Sequence, residues 1–241
     1  MQTVRLLGIC GSPRKTGNSH YLLERALESG KLVAPDQVET ELCSISGKQI
    51  GPCIACDRCE KVGDCTTEDD FQELRDKWVA ADAIVYSVPV YHMGMPGQLK
   101  CFIDRLGNSL YSRYGAGIIK SLKPIGVAVQ GCHLFAGQEQ VIAGLVSHAM
   151  VMGCVPIAGD PWESYTGAAG WTRNLMSKDA LRELYDRGEE DARIAVAAAE
   201  SLGKRVAEMA LVIKYGAQAC QQLLCRDDSY QDLLSRVAKE N

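Results

Sequence analysis

Four of the eleven cysteines in this chain crowd into one short stretch, Cys53-Ile54-Ala55-Cys56-Asp57-Arg58-Cys59-Glu60-Lys61-Val62-Gly63-Asp64-Cys65. The spacing C-x2-C-x2-C-x5-C lets a single loop wrap four thiolates around one centre. Gly51, Pro52 and Gly63 supply its bends. Thiolates in runs this tight hold iron–sulfur clusters, and the bacterial run C-x2-C-x2-C-x3-C is the nearest pattern. In that run the last cysteine serves a second cluster. No second run follows here, so Cys65 closes the same site over a longer loop. Three other uses stay open: a structural zinc, a disulfide framework and thiols that carry nothing. Zinc sites usually separate two C-x2-C pairs by a dozen residues or more. Disulfides need an oxidising compartment, of which the sequence shows no sign.

A second stretch suits a different group. The apolar residues 4–9 read as a buried parallel strand, and Gly11-Ser12-Pro13-Arg14-Lys15-Thr16-Gly17-Asn18-Ser19 follows. Helical spacing then begins at Leu22, Leu23, Ala26 and Leu27. A strand, a turn rich in hydroxyl and amide groups, and a helix aim backbone N–H groups at a phosphate. The turn is neither a Walker loop nor the G-x-G-x-x-G fingerprint of dinucleotide sites. A Cys-based phosphatase would need arginine six residues after Cys10, where Thr16 stands. What remains suits the single phosphate of FMN, against the plainer alternative of an ordinary strand-to-helix turn.

These loops need a frame. Strands are expected over 4–9, 38–45, 83–88, 124–129 and 155–157. Helices are expected over 68–81, with Thr67 as N-cap, through Leu99, Phe102, Ile103 and Leu106, and over 138–152 and 190–213. The alternation predicts an α/β doubly wound parallel five-stranded sheet. Two further strand-end loops then meet the first at the carboxyl edge, where open α/β sheets bind ligands. One is Pro89-Val90-Tyr91-His92-Met93-Gly94, suited to an isoalloxazine ring; the other is Gln130-Gly131-Cys132-His133. His92 and His133 read as pocket-lining groups or proton donors, while His20 and His148 read as ordinary helix residues. Residues 159–188 form an aromatic loop with Trp162, Tyr165 and Trp171, either a cover for a flavin edge or a surface crossover. The amphipathic segment 217–238 exceeds what five strands require and suggests a structural role, such as packing against a second subunit. The expected organisation is an FMN-binding domain over 1–213, containing the cysteine loop at 51–66, and a helical extension over 214–241.

Composition narrows the classes. Hydrophobic content is 46% and charged content 23%, as in globular proteins. The net charge of −4 argues against a nucleic-acid surface. No apolar run is long enough to span a membrane. Residues Met1-Gln2-Thr3-Val4-Arg5 run straight into a strand without a signal peptide. The expected location is cytoplasmic.

The phosphate turn, together with Pro89-Val90-Tyr91 and Met95-Pro96-Gly97-Gln98-Leu99-Lys100-Cys101-Phe102-Ile103-Asp104-Arg105, resembles the NADPH-dependent FMN reductases of the flavodoxin-like fold. With the cysteine motif added, the chain is similar to the iron–sulfur flavoprotein family over roughly residues 3–158. The resemblance implies sheet order 2-1-3-4-5, bound FMN, a [4Fe–4S] cluster and a homodimer or homotetramer in which one subunit's cluster approaches an FMN at the interface. It implies that Ser12, Arg14, Thr16, Gly17, Asn18 and Ser19 hold the phosphate and that Pro89, Val90, Tyr91, His92, Met93 and Gly94 flank the ring. Gln130 and Gly131 are added as a further cofactor-binding turn. Cys53, Cys56, Cys59 and Cys65 would ligate the cluster. His92 stands where an aromatic is often found.

The expected activity is electron transfer from a ferredoxin-like donor, through cluster and flavin, to a small acceptor such as dioxygen, peroxide or a quinone. A rival is an NAD(P)H-dependent FMN, quinone or azo reductase with zinc or no metal at the cysteines. Others are a pure electron carrier without a substrate, and a dehydrogenase whose substrate pocket involves the 159–188 loop.

Overall fold

A computed structural model describes residues 3–114 and 119–237. Met1, Gln2 and Ala238, named above, lie outside it. Strands β1 (Val4–Cys10), β2 (Val38–Ser44), β3 (Ala83–Pro89), β4 (Pro124–Gly131), β5 (Val155–Pro156) and β6 (Ala168–Trp171) form one parallel sheet. Its order is β2-β1-β3-β4-β5, with β6 also paired to β4. The flavodoxin-like order expected from the resemblance is therefore present. Helices are α1 (Asn18–Val33), α2 (Arg58–Val62), α3 (Phe71–Ala80), α4 (Gly97–Tyr114), α5 (Gln138–Val151), α6 (Ala180–Asp186), α7 (Glu190–Ala219), α8 (Gln221–Leu224) and α9 (Gln231–Val237).

Period-2 side chains of β1, β3 and β4 feed two cores. Ile84, Tyr86, Val127 and Val129 pack with Phe71, Trp78, Phe102 and Leu106 on one face. Val85 packs with Leu23, Leu27 and Val206 on the other, beneath α1 and α7. Inside the first core the Trp78 indole donates to the Tyr86 hydroxyl at 2.9 Å, which satisfies both buried polar tips.

Three elements differ from expectation. The first helix after the cysteine loop starts at Phe71, not residue 68, because Asp69 accepts from the amides of Phe71 and Gly51 at 2.9 Å each. Asp70, not the expected Thr67, stands at the N-cap and makes no side-chain capping bond, while Asp69 pins the loop's entry. The fifth strand position is shared in series: β5 pairs with Pro124 and Ile125 at the start of β4, and β6 pairs with Ala128 to Gly131 at its end. The expected strand over 155–157 was one half of that edge, and Gly167, with φ 143°, belongs to the turn that returns the chain to it. Finally, the Ala-rich helix α7 continues through residue 213 to Ala219.

Candidate functional site

The carboxyl ends of β1, β3 and β4 border a cavity of about 140 Å³. Ser12, Arg14, Gly17, Asn18 and Ser19 line one side, Pro89, Val90 and Tyr91 another, and Gln130, Gly131 and Cys132 a third. Three loops far apart in sequence therefore meet at one crevice. Buried hydrogen bonds fix them: the Gly11 amide to the Ser87 carbonyl at 2.8 Å, the Ser87 hydroxyl to the Ser19 carbonyl at 2.7 Å, and the Val90 amide to the Gln130 carbonyl at 2.9 Å. A Cβ on Gly11 would meet Leu99 Cδ2 at 2.7 Å, so glycine lets the turn lie against α4. Helix α1 starts beside the cavity with Gly17 as N-cap and no side-chain cap. Its first-turn amides have no intrahelical acceptors, so they are free for an anion. Cys10 lies under this turn, and burial pushes its thiol up to about 11, which keeps it protonated and unreactive.

The remaining expected residues fall outside this cavity. Thr16 is exposed and borders a neighbouring cleft with His20, Tyr21, Glu24, Lys178 and Arg182. His92 and Met93 occupy the two left-handed positions, φ 46° and 64°, of a two-residue turn closed by paired bonds between Tyr91 and Gly94. That geometry matches a type I′ hairpin turn, and His92 is exposed and outside the lining. His133 is exposed and bonds Asn174 through Nδ1 at 2.6 Å.

The 159–188 segment, expected as a flavin cover or a surface crossover, supplies one wall through residues the sequence did not single out. Leu175, Met176 and Ser177 line the cavity, from a segment in which only Trp162, Tyr165 and Trp171 had drawn notice. Trp162 and Tyr165 are instead exposed, away from the site. The wall is a strap between β6 and α6, tied at both ends. The Asn174 amide donates to the Cys132 carbonyl at 2.8 Å. The Asn18 side chain donates to the Ser177 carbonyl at 3.3 Å and accepts from the Leu181 amide at 3.0 Å. Arg173 reaches Glu189 at 2.7 Å and Asp191 at 3.0 Å. A left-handed pair, Arg173 and Asn174 (φ 49° and 66°), is the only sequence-level hint, since asparagine tolerates that region.

The four cysteines of the motif all line a separate cavity of about 230 Å³. Its floor is the loop, bent through left-handed Ala55 and Asp57 and through the short helix α2, which Gly63 closes in the left-handed region. Its wall is the middle of α4, through Arg105, Asn108, Ser109 and Ser112. Arg105 Nε donates to Cys65 Sγ and Asn108 Nδ2 to Cys53 Sγ, each at 3.3 Å. Gln72 ties the exit of the loop, donating to the Thr67 carbonyl at 2.7 Å. No residue lines both cavities.

The sheet order and the crevice across β1, β3 and β4 define a flavodoxin-like reductase. The chain matches the NADPH-dependent FMN reductase family over residues 4–160. It is 31% identical over 218 residues to an iron–sulfur flavoprotein of Methanocaldococcus jannaschii, covering 88% of this chain and 100% of that one. It is 32% identical to an iron–sulfur flavoprotein of Methanosarcina thermophila, covering 70% and 83%. Among solved structures, RosB with bound 8-demethyl-8-formylriboflavin-5'-phosphate shares the fold at TM-score 0.63 and 13% identity, covering 93% of this chain and 87% of RosB. The protein belongs to the NADPH-dependent FMN reductase family, in its iron–sulfur flavoprotein branch, and is a flavin-dependent oxidoreductase that uses FMN. Among the described residues no helix is long and apolar enough to cross a membrane.

Proposed function

We infer that the protein moves electrons from a ferredoxin-like donor, through a [4Fe–4S] cluster at Cys53, Cys56, Cys59 and Cys65 and through FMN in the carboxyl-edge cavity, to a small acceptor such as dioxygen, peroxide or a quinone. The observation that carries this is the convergence of all four motif thiols on one cavity. The four thiols border a space of about 230 Å³, and two already face N–H donors. An all-thiolate donor set of this kind fits a cluster.

When bound, FMN and the cluster would supply coupled one- and two-electron chemistry. The chain's part is to bind, orient and shield. Ser12, Arg14 and the α1 amides would hold the phosphate. Pro89, Val90, Tyr91 and the Gln130–Gly131 turn would flank the ring, and Leu175 and Met176 would keep water from one side. Among the described residues no carboxylate or imidazole lines the cavity, and protons would reach it from solvent. The two cavities are well separated within one chain: Arg105 to Ser112 lie about 12–22 Å along α4 from its start, at ~1.5 Å per residue. Pairing of chains in a homodimer or homotetramer would bring one subunit's cysteine cavity to another's flavin. The exposed apolar side chains Tyr91, Met93, Leu134, Phe135, Leu175 and Met176 near the crevice support such an interface.

A second reading, reduction by NAD(P)H with zinc or nothing at the cysteines, is favoured by the family's nicotinamide-dependent character. Iron, acid-labile sulfide and zinc per FMN in protein purified without oxygen separate the two. About four irons and four sulfides are expected. Zinc or no metal, with rapid flavin bleaching by NAD(P)H, would transfer the assignment to the second reading.

A further inference from the structure

The wall of the cysteine cavity contains a charge that the motif does not explain. Arg105 is 1% exposed, and burying a guanidinium is costly unless every donor is used. Its Nη1 reaches Asp69 at 2.6 Å and the Gly51 carbonyl at 3.3 Å, and its Nη2 donates to the Thr67 carbonyl at 2.7 Å. Its plane lies over the Phe71 ring, 4.3 Å from the centroid. One side chain therefore grips both ends of the cysteine loop, and a further donor, Nε, faces Cys65 Sγ at 3.3 Å. A planar fork held on so many sides cannot swing away from the sulfur.

Asn108 sits one turn further along the same face of α4 and repeats the contact on the other end of the motif, Nδ2 to Cys53 Sγ at 3.3 Å. Asn108 is exposed, and among the described residues its side chain makes no other hydrogen bond. It has no evident task in holding the fold. Loop-stapling alone would account for Arg105, but not for Asn108.

We propose that α4 is a potential-setting wall: Arg105 and Asn108 are positioning residues that donate N–H bonds to the Cys65 and Cys53 thiolates and so raise the reduction potential of the cluster those thiolates hold. The inference rests on the cluster reading above. Reduction adds one electron, hence one negative charge, to the thiolate-bound centre. Donors and positive charge at its sulfurs stabilise the reduced form more than the oxidised one.

The test is a dye-mediated redox titration of the full-length holoprotein, followed by EPR of the reduced cluster. Asn108→Ala should move the cluster midpoint to a more negative potential. Asn108→Asp, of the same shape but without the donor and with a negative charge, should move it further. Both should keep wild-type iron content, thermal unfolding and flavin midpoint. Arg105→Lys, which keeps the charge beside Asp69 but loses Nε–H, should also lower the cluster midpoint. Unmoved midpoints in both Asn108 variants would overturn the proposal. So would loss of the cluster in Arg105→Lys beside unmoved Asn108 variants, which would make the wall purely structural. Wild-type protein without iron would overturn the cluster reading itself, a result distinct from a cluster whose potential ignores the wall.

Discussion

His148 lies on α5 near Lys100 and Asp104 of α4, and among the described residues nothing bonds its buried Nε2. Burial pulls its pKa down to about 4 from the usual 6.5, with Lys100 opposing protonation and Asp104 favouring it. The unfolded chain therefore binds the proton first as pH falls. Stability held above about pH 6.5 should decline towards pH 4, by about 3 kcal/mol from this residue. Urea unfolding across that range should show a shallower decline in His148→Leu than in the native protein. Asn18 was expected to hold phosphate, yet both ends of its amide are spent on the strap. Asn18→Ala should weaken FMN binding about tenfold, the value of one or two hydrogen bonds, by loosening the 175–177 wall. A fluorescence titration of the apoprotein with FMN reads this directly.

Helices α1 and α7 approach closely. Gly30 and Gly203 face each other there; a Cβ on Gly30 would lie 3.0 Å from the Gly203 carbonyl, and one on Gly203 would drive into the Ala26 carbonyl. With backbone rather than flexible side chain in the way, the helices must separate to admit a methyl group. Gly203→Ala should cost about 3 kcal/mol by overpacking, visible as a lowered denaturation midpoint with an unchanged slope. The helices themselves were legible because Leu22, Leu23, Ala26 and Leu27, and Leu202 and Val206, recur at helical spacing. The divided fifth strand was not, because three of the four residues of β6, Ala168, Ala169 and Gly170, are small and of low strand propensity. They form a strand because β4 offers a free edge, and Gly170 leaves room for Gln130 beside it.

Across the whole molecule, the sheet edge opposite the flavin crevice is closed by a buried charged network. Asp82 receives the Arg5 amide at 2.9 Å and Lys214 at 3.0 Å. Asp232 accepts from Ser121 at 2.6 Å and lies 3.8 Å from Lys123, with Arg236 between the two carboxylates. Burial and Arg236 push Lys123 down to about 8, so its proton depends on Asp232 and on the Val79 and Ala81 carbonyls it reaches. The C-terminal helix α9 thus seals the domain's own base. Asp232→Asn removes the charge that balances Lys123 and Arg236 and should cost about 3 kcal/mol at neutral pH, measured by urea unfolding.

Local chemistry was readable in order along the chain. The cysteine spacing, the phosphate turn at 11–19 and the strand–helix alternation are written in neighbouring residues, so pattern and propensity suffice to find them. The fold class and the four metal-binding candidates follow from those patterns. Other features depend on residues distant in sequence. The Leu175–Ser177 wall is tied to the crevice through Asn18, Cys132 and His133, and Arg105 reaches Cys65 because α4 packs against the loop. The 175–177 stretch has no periodicity or motif to mark it, and the helical spacing that marks α4 does not say that Arg105 faces the cysteines. Their roles come from long-range hydrogen bonds, which exist only once the sheet has brought the partners together.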